Sequence, residues 1–428
     1  MRAGFAEVDI TPPPGEEMTG YGYYLNRRAR GTLDPLAARV VALDDGERRA
    51  AAVQLDVLEL GRETTGDMRA RASRCLGLAP EALLLHCTHT HTGPTVVSLE
   101  GCGTASAYYP RMLTERVLEA LAAAFSGLAE VEGPVRFDVG FPEGFAYNRV
   151  GGEDVDTRVR GVGLQVKGAA PIVAVNYACH PVTLGRLDQY SADYPGYLVR
   201  ELNAYGLRAL YLNGPCGDIN PLTHAHQWGS GTQDTLRIYG RDLAAKVRQG
   251  LASSAPLELG PLSCVSEALP LEHERPAVPD LREGLARLEQ RLAEEPDDGE
   301  ARVDAVWHRR MLGLLEAAGP GEDATAGVMT AEVQAIASGD LVLVGLGGEV
   351  FTRVGAAVRE GAAGKHVLVA ATSNAVLGYI PTPEDVAARG YASMSSAKLY
   401  GMAMLTPEAG MRWGEAGGAV VRRAVAPE

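Results

Sequence analysis

Short apolar runs and longer amphipathic ones alternate along the whole chain. Runs at 39–43, 50–55, 83–87, 135–139, 161–166, 172–177, 209–212, 341–346 and 367–371 are too short for helices and predict strands. A further strand-like run follows directly on the first few residues. Apolar positions recurring at helical spacing predict helices over 65–75, 109–125, 233–251, 351–359 and 407–423. This alternation is the mark of an α/β protein and predicts a mixed β-sheet core covered by helices. No internal repeat or low-complexity linker interrupts it, so residues 1–428 read as a single domain. The segment 279–317 departs from the pattern. It is rich in Leu, Ala, Glu and Arg at helical spacing, and Glu295-Pro296-Asp297-Asp298-Gly299 breaks it in the middle. That predicts a helical hairpin serving as a lid, an oligomer contact or a solvated excursion, the last being the usual fate of so charged a pair.

Polar clusters sit directly after several of the predicted strands, where open α/β sheets build their sites. The first is His86-Cys87-Thr88-His89-Thr90-His91-Thr92-Gly93-Pro94. On extended backbone His89 and His91 point to one side, and imidazole is a good zinc ligand. A polar loop with hydrogen-bonded histidines accounts equally well for the pair. The Asp-His continuation of a metallo-β-lactamase pattern is absent. The second cluster, Ala178-Cys179-His180-Pro181, ends the 172–177 run with a histidine that is either a satisfied core residue or a further ligand. The third, Asn213-Gly214-Pro215-Cys216-Gly217-Asp218-Ile219-Asn220-Pro221, is dense in turn formers and carries amide and carboxylate groups. The fourth places Glu349 between a glycine turn and a helix start, where a carboxylate can simply face a helix dipole. Ser373-Asn374 and Gly378-Tyr379-Ile380-Pro381 follow, with Tyr391 beyond.

Charge narrows the possible partners. The net charge is −14, and lysine occurs only at Lys167, Lys246, Lys365 and Lys398. There is no basic stripe for nucleic acid and no polybasic patch for a membrane surface. No apolar run approaches the roughly 20 residues of a spanning helix, and the first residues lack a signal-peptide core. These features lead to the expectation of a cytoplasmic protein without stable membrane association, free to form oligomers. The six cysteines fit reduced thiols. Cys87, Cys179 and Cys216 read as small buried residues beside the clusters, because no CxxC spacing occurs.

Taken in order, these segments resemble the catalytic domain of neutral, non-lysosomal ceramidases over nearly the whole chain. The resemblance is carried by the opening Ala3-Gly4-Phe5-Ala6-Glu7-Val8-Asp9-Ile10-Thr11-Pro12 with Met18-Thr19-Gly20-Tyr21-Gly22. Thr88-His89-Thr90-His91-Thr92-Gly93-Pro94, Asn148-Arg149 and Gly217-Asp218-Ile219-Asn220-Pro221 continue it. Gly348-Glu349-Val350-Phe351-Thr352 and Gly378-Tyr379-Ile380-Pro381-Thr382-Pro383-Glu384, with Tyr391, complete it. It implies that His89, His180, Glu349 and Tyr379 ligate one zinc ion per chain, with His91, Arg149 and Tyr391 around the scissile group of an N-acyl amide. Asn220, Asp218 and Asn374 are the candidates to contact substrate. Zinc would activate water, Arg149 and Tyr391 would stabilise the oxyanion, and His91 would protonate the leaving amine.

The chain departs from the family in two places. Asn220 stands where the family has serine, and neither the extra C-terminal β-domain nor the secretion signal of lipid-cleaving members is evident. Both point to a soluble small N-acyl compound rather than membrane ceramide. An ester, lactone or other acyl substrate would use the same groups, and a catalytically silent binding protein is the remaining alternative.

Overall fold

A computed structural model describes residues 1–23, 26–317 and 329–426. Its core is built from three mixed sheets, each an antiparallel meander that ends in one parallel pair. In the first sheet Leu83–Cys87 lies parallel to Arg49–Leu55, which continues antiparallel through Ala37–Asp44 and Arg2–Asp9. In the second, Arg208–Asn213 lies parallel to Ile172–Tyr177, followed by Arg158–Leu164 and Val135–Gly140. In the third, His366–Ala370 lies parallel to Leu341–Leu346, followed by Thr330–Ser338 and Leu262–Pro270. The parallel strands are buried almost throughout, and their sequences are the near-continuous apolar runs that such strands require.

Helices cover the sheets. Arg62–Leu76 packs against Tyr109–Ser126, which lies on the first sheet. Asp193–Ala204 and Gln233–Ala252 lie on the second, and Ala409–Val425 packs with Thr352–Arg359 on the third. In Tyr109–Ser126 the buried Leu113, Val117, Ala120, Leu121 and Ala124 form one apolar stripe at helical spacing. Gly4 lets that helix approach the first strand, since a side chain there would meet the Ala124 carbonyl. The architecture is therefore the expected mixed α/β core. Among the described residues, no helix is long and apolar enough to cross a membrane.

One expectation needs correction, and one helix was missed. The segment over 279–317 is indeed a helical hairpin, Val278–Glu294 and Gly299–Ala317, but it is not a solvated excursion. Leu281, Trp307, Met311 and Leu312 are buried in the core of the third sheet, and Trp307 Nε1 donates to the Met402 carbonyl at 2.6 Å. Charge on the outer face had masked an apolar inner face. Helix Asp193–Ala204 was not expected at all. Its first seven residues are all buried and include Pro195 and Gly196, which read as helix breakers in the sequence.

The three sheets meet at the carboxyl ends of their parallel strands, where polar groups join them. The backbone N–H of Asn213 donates to His86 Nε2 at 2.9 Å, that of Cys87 to the Thr372 carbonyl at 3.1 Å, and that of Ala371 to the Asn213 carbonyl at 2.9 Å. Asn176 donates from Nδ2 to the carbonyls of Leu212 and Val369, both at 2.9 Å. Interlocking of this kind leaves the loops beyond those strand ends little freedom, and the loops carry the candidate chemistry.

Candidate metal centre

Each of three imidazole or carboxylate groups enters from a different sheet. His89 follows Leu83–Cys87, His180 follows Ile172–Tyr177, and Glu349 follows Leu341–Leu346. All three are at most 2% exposed. His89 adopts a left-handed backbone with φ 71°, a conformation that costs a non-glycine residue energy and that its surroundings must hold in place. His89 Nδ1 donates to the Leu58 carbonyl at 3.0 Å, and His180 Nδ1 donates to the Cys216 carbonyl at 2.6 Å. A ring whose Nδ1 carries the hydrogen presents a bare lone pair at Nε2 when neutral. Both Nε2 atoms point at the same oxygen, Glu349 Oε2, at 3.1 Å from His89 and 2.9 Å from His180.

Three acceptors thus converge on one buried point, an arrangement that calls for a cation. With only protons available, burial opposes the charged forms. The attraction between His89 and Glu349 outweighs it, lifting His89 above its ordinary value and holding Glu349 well below the carboxylate range. His180 is pushed down to about 4 by burial and by the Arg149 charge.

His91 completes a group of three. Its ring lies 4.9 Å from that of His89 and 5.6 Å from that of His180, and nitrogen atoms of the three residues fall within 4.8 Å of one another. Both His91 ring nitrogens are buried without a hydrogen-bond partner. Unpartnered buried polar atoms are expensive, so two of them on one ring beside two other imidazoles mark a binding site. Gly20 makes room for this ring, because a side chain at that position would lie 2.7 Å from it. Arg27 donates to the His91 carbonyl at 2.7 Å and anchors the loop. The buried three-histidine group could hold a metal ion, and Glu349 adds the neutralising charge.

Tyr379 stands beside Glu349 through backbone pairing of Glu349–Val350 with Tyr379–Ile380. Its ring stacks 6.4 Å from His180, and its hydroxyl accepts from Arg149 at 2.8 Å. Arg149 also donates to the Gly217 carbonyl at 2.7 Å. Tyr391 is half-exposed, 6.0 Å from the Tyr379 ring. Arg149, Glu349, Tyr379, Tyr391 and Asn220 line a cavity of about 420 Å³, together with Tyr21, Leu58, Leu99, Trp228, Leu399 and others. That volume lies in the range of small-molecule sites.

Two residues expected to contact substrate are occupied elsewhere. Asp218 Oδ1 accepts from Thr352 N at 2.8 Å and Thr352 Oγ1 at 2.9 Å, while Oδ2 accepts from Asn148 Nδ2 at 3.2 Å. It braces the loops that carry Arg149 and Glu349. Asn374 is fully buried, accepts from the Leu85 N–H at 3.1 Å, donates to Gln334 at 2.8 Å, and holds φ 58°. It ties the first sheet to the third and does not line the cavity. A turn-forming asparagine and a substrate ligand look alike in sequence, and here the amide is used up by the fold. His86 is likewise a joint between sheets, kept neutral by burial with its affinity for a proton lowered to about 3.

Glu59 and Tyr400 went unnoticed in the sequence. Both carry functional groups next to the cluster: the Tyr400 hydroxyl contacts Glu59 Oε2 at 2.7 Å and Glu349 Oε1 at 2.8 Å. Glu59 follows the Arg49–Leu55 strand, so its position after a strand end was the available signal. Tyr400 had none. Cys87, Cys179 and Cys216 are fully buried free thiols pushed well up by burial, as their small-residue reading expects.

An α/β scaffold with a buried site able to hold a metal ion is thus defined by fold and geometry. Among the solved structures that share the fold are two ceramidases. Neutral ceramidase from Pseudomonas aeruginosa matches with a TM-score of 0.77 and 16% identity, over 100% of this chain and 76% of that one. A ceramidase complexed with C2 matches with a TM-score of 0.77 and 16% identity, over 100% of this chain and 77% of that one. The chain has the neutral-ceramidase fold. Comparisons with protein-family sequence profiles and with curated protein sequences gave no match.

Proposed function

We propose that the protein is a zinc-dependent hydrolase that cleaves the N-acyl bond of a small, soluble amide. The observation that carries this reading is the convergence of two lone-pair Nε2 atoms and a carboxylate oxygen at one buried point, with an unpartnered third imidazole beside them. The likeness in fold to ceramidases supports an amide as the bond.

The residues present fit a zinc ion in donor type and charge, with His89, His180, Glu349 and Tyr379 as the holding groups. When bound, zinc would supply a Lewis acid that polarises a carbonyl and makes water nucleophilic near neutral pH. The remaining work falls to the chain. Arg149 and Tyr391, on the Tyr379 side of the cavity, donate to the oxygen that becomes negative in the tetrahedral state. His91, neutral through burial and with both ring nitrogens free of protein partners, takes the proton released by the attacking water and passes it to the leaving nitrogen. Leu58, Leu99 and Leu399 give apolar wall for a short acyl group, and Asn220 at the cavity lining contacts the other half.

Water rather than a side chain is the nucleophile in this reading. Asn220 has no hydroxyl, the Thr92 hydroxyl is committed to the Ser191 carbonyl at 2.9 Å, and Cys216 is fully buried. The test is a panel of soluble N-acyl amides, matched esters and lactones, and long-chain ceramide in liposomes, assayed with zinc-loaded protein. The amides are expected to turn over fastest, without an acyl-enzyme adduct in intact mass spectra. Esters alone, or liposomal ceramide ahead of all soluble amides, would overturn the proposal.

A further inference from the structure

Tyr400 has a single hydroxyl hydrogen and two carboxylate oxygens within hydrogen-bond distance, Glu59 Oε2 at 2.7 Å and Glu349 Oε1 at 2.8 Å. Both contacts are hydrogen bonds only if one of the carboxyl groups brings a second hydrogen. Read as a metal ligand, Glu349 is a carboxylate with its other oxygen committed to the point shared by His89 and His180, so the second hydrogen belongs to Glu59. The geometry therefore points to a directed chain in which Glu59 donates to the Tyr400 oxygen and Tyr400 donates to Glu349 Oε1. Glu59 is 2% exposed and cannot exchange this partner for bulk water.

We propose that Glu59 and Tyr400 are positioning residues for Glu349, a hydrogen-bond chain that fixes Oε1 and so aims Oε2 at the point shared by His89 and His180. The inference rests on reading Glu349 as a metal ligand. Two local features support it. Leu58 and Glu59 are adjacent, and the Leu58 carbonyl holds His89 Nδ1, so one dipeptide orients two ligands that come from different sheets. Gly378, with φ 142°, lets the Tyr400 ring sit beside the Glu349 loop, because a side chain there would lie 3.1 Å from that ring. Partners that orient metal ligands typically change metal affinity when removed, by about 10–100-fold.

The experiment is a zinc titration of the full chain against a chromophoric chelator, with wild type, Tyr400→Phe, Glu59→Gln, Glu59→Leu and the Tyr400→Phe/Glu59→Leu double variant. Tyr400→Phe is expected to weaken zinc by about 10-fold or more. Glu59→Gln keeps a neutral donor of the same shape and is expected to stay near wild type, whereas Glu59→Leu is expected to weaken zinc. The double variant should be no weaker than Tyr400→Phe, because a chain broken at either link fails as a unit. Zinc affinity unchanged in Tyr400→Phe, or equal losses in Glu59→Gln and Glu59→Leu, would overturn the positioning role while leaving the metal site intact. No zinc binding by wild type would instead bring down the ligand reading, and this inference with it.

Discussion

The site has two unlike sides. On the inner side His89, His180 and Glu349 are buried, stand just beyond strand ends of three sheets, and have their remaining polar atoms tied to Leu58, Cys216 and Tyr400. On the outer side Trp228 is 51% exposed and comes from a loop. The inner side is over-determined, which is what allows it to hold three acceptors and a left-handed histidine against their own energetic preference. The outer side is half exposed, with Trp228 packed edge-on against Tyr21 and His224. The division implies that chemistry is set by the strand ends and substrate choice by the rim.

The sharpest contrast should come from matched truncations. His89→Ala or Glu349→Ala is expected to lower turnover by about a thousandfold or more, because the group that activates water is lost. A strong chelator should do the same to wild type, with recovery on adding zinc. Trp228→Ala is expected to raise KM and leave kcat within a small factor. Steady-state kinetics on one soluble amide measure both, and a large kcat loss in Trp228→Ala would erase the distinction between the sides.

Arg149 and Tyr391 lie at the boundary. Tyr391→Phe removes one oxyanion donor and is expected to lower kcat by about 10²–10³-fold with zinc content unchanged. An unchanged kcat would move Tyr391 to the rim as a contact only. Arg149→Met should show a similar kcat loss, with an added effect through Tyr379, whose hydroxyl it holds.

Further from the cavity the effect should pass from rate to stability. Asn374→Ala leaves the Leu85 N–H without a partner and removes one of the two donors to Gln334 Oε1, and it is expected to cost about 1–3 kcal/mol in urea unfolding, with KM unchanged. A raised KM with unchanged stability would restore Asn374 as a substrate contact. Asp218→Ala should combine a similar stability loss with a modest fall in kcat, since Asp218 braces the loops of Arg149 and Glu349.

The smallest effect concerns Asp193, which lies outside the cavity lining. Burial pushes its carboxyl from 3.8 up to about 7. The folded state therefore binds the proton more tightly than the unfolded one. Its contribution to stability is fully present below about pH 4, is lost as pH rises, and its cost is complete above about pH 7. Asp193→Asn should melt a few degrees above wild type at about pH 8, and the gain should shrink toward about pH 4. A gain independent of pH would assign it to backbone relief at φ 53° instead.

The two sides also differed in how readily the sequence disclosed them. Strands Leu83–Cys87, Ile172–Tyr177 and Leu341–Leu346 have the predicted bounds, because buried parallel strands are plain apolar runs. His89, His91, His180 and Glu349 were legible because each follows such a run. Strand Leu262–Pro270 was not, since it is largely exposed beyond its first residue and shows no clean alternation. Tyr400 was invisible, because only the fold brings residue 400 to residues 59 and 349. Asn374 was misread for the opposite reason. Its polarity serves a junction between sheets that no local pattern displays.

The central claim is that the inner side is a metal centre, and elemental analysis of the purified chain tests it most directly. Wild type is expected to carry about one zinc per chain, and Glu349→Ala and His180→Ala each to retain little of it. Wild type that takes up no zinc, or both variants retaining it in full, would contradict the account.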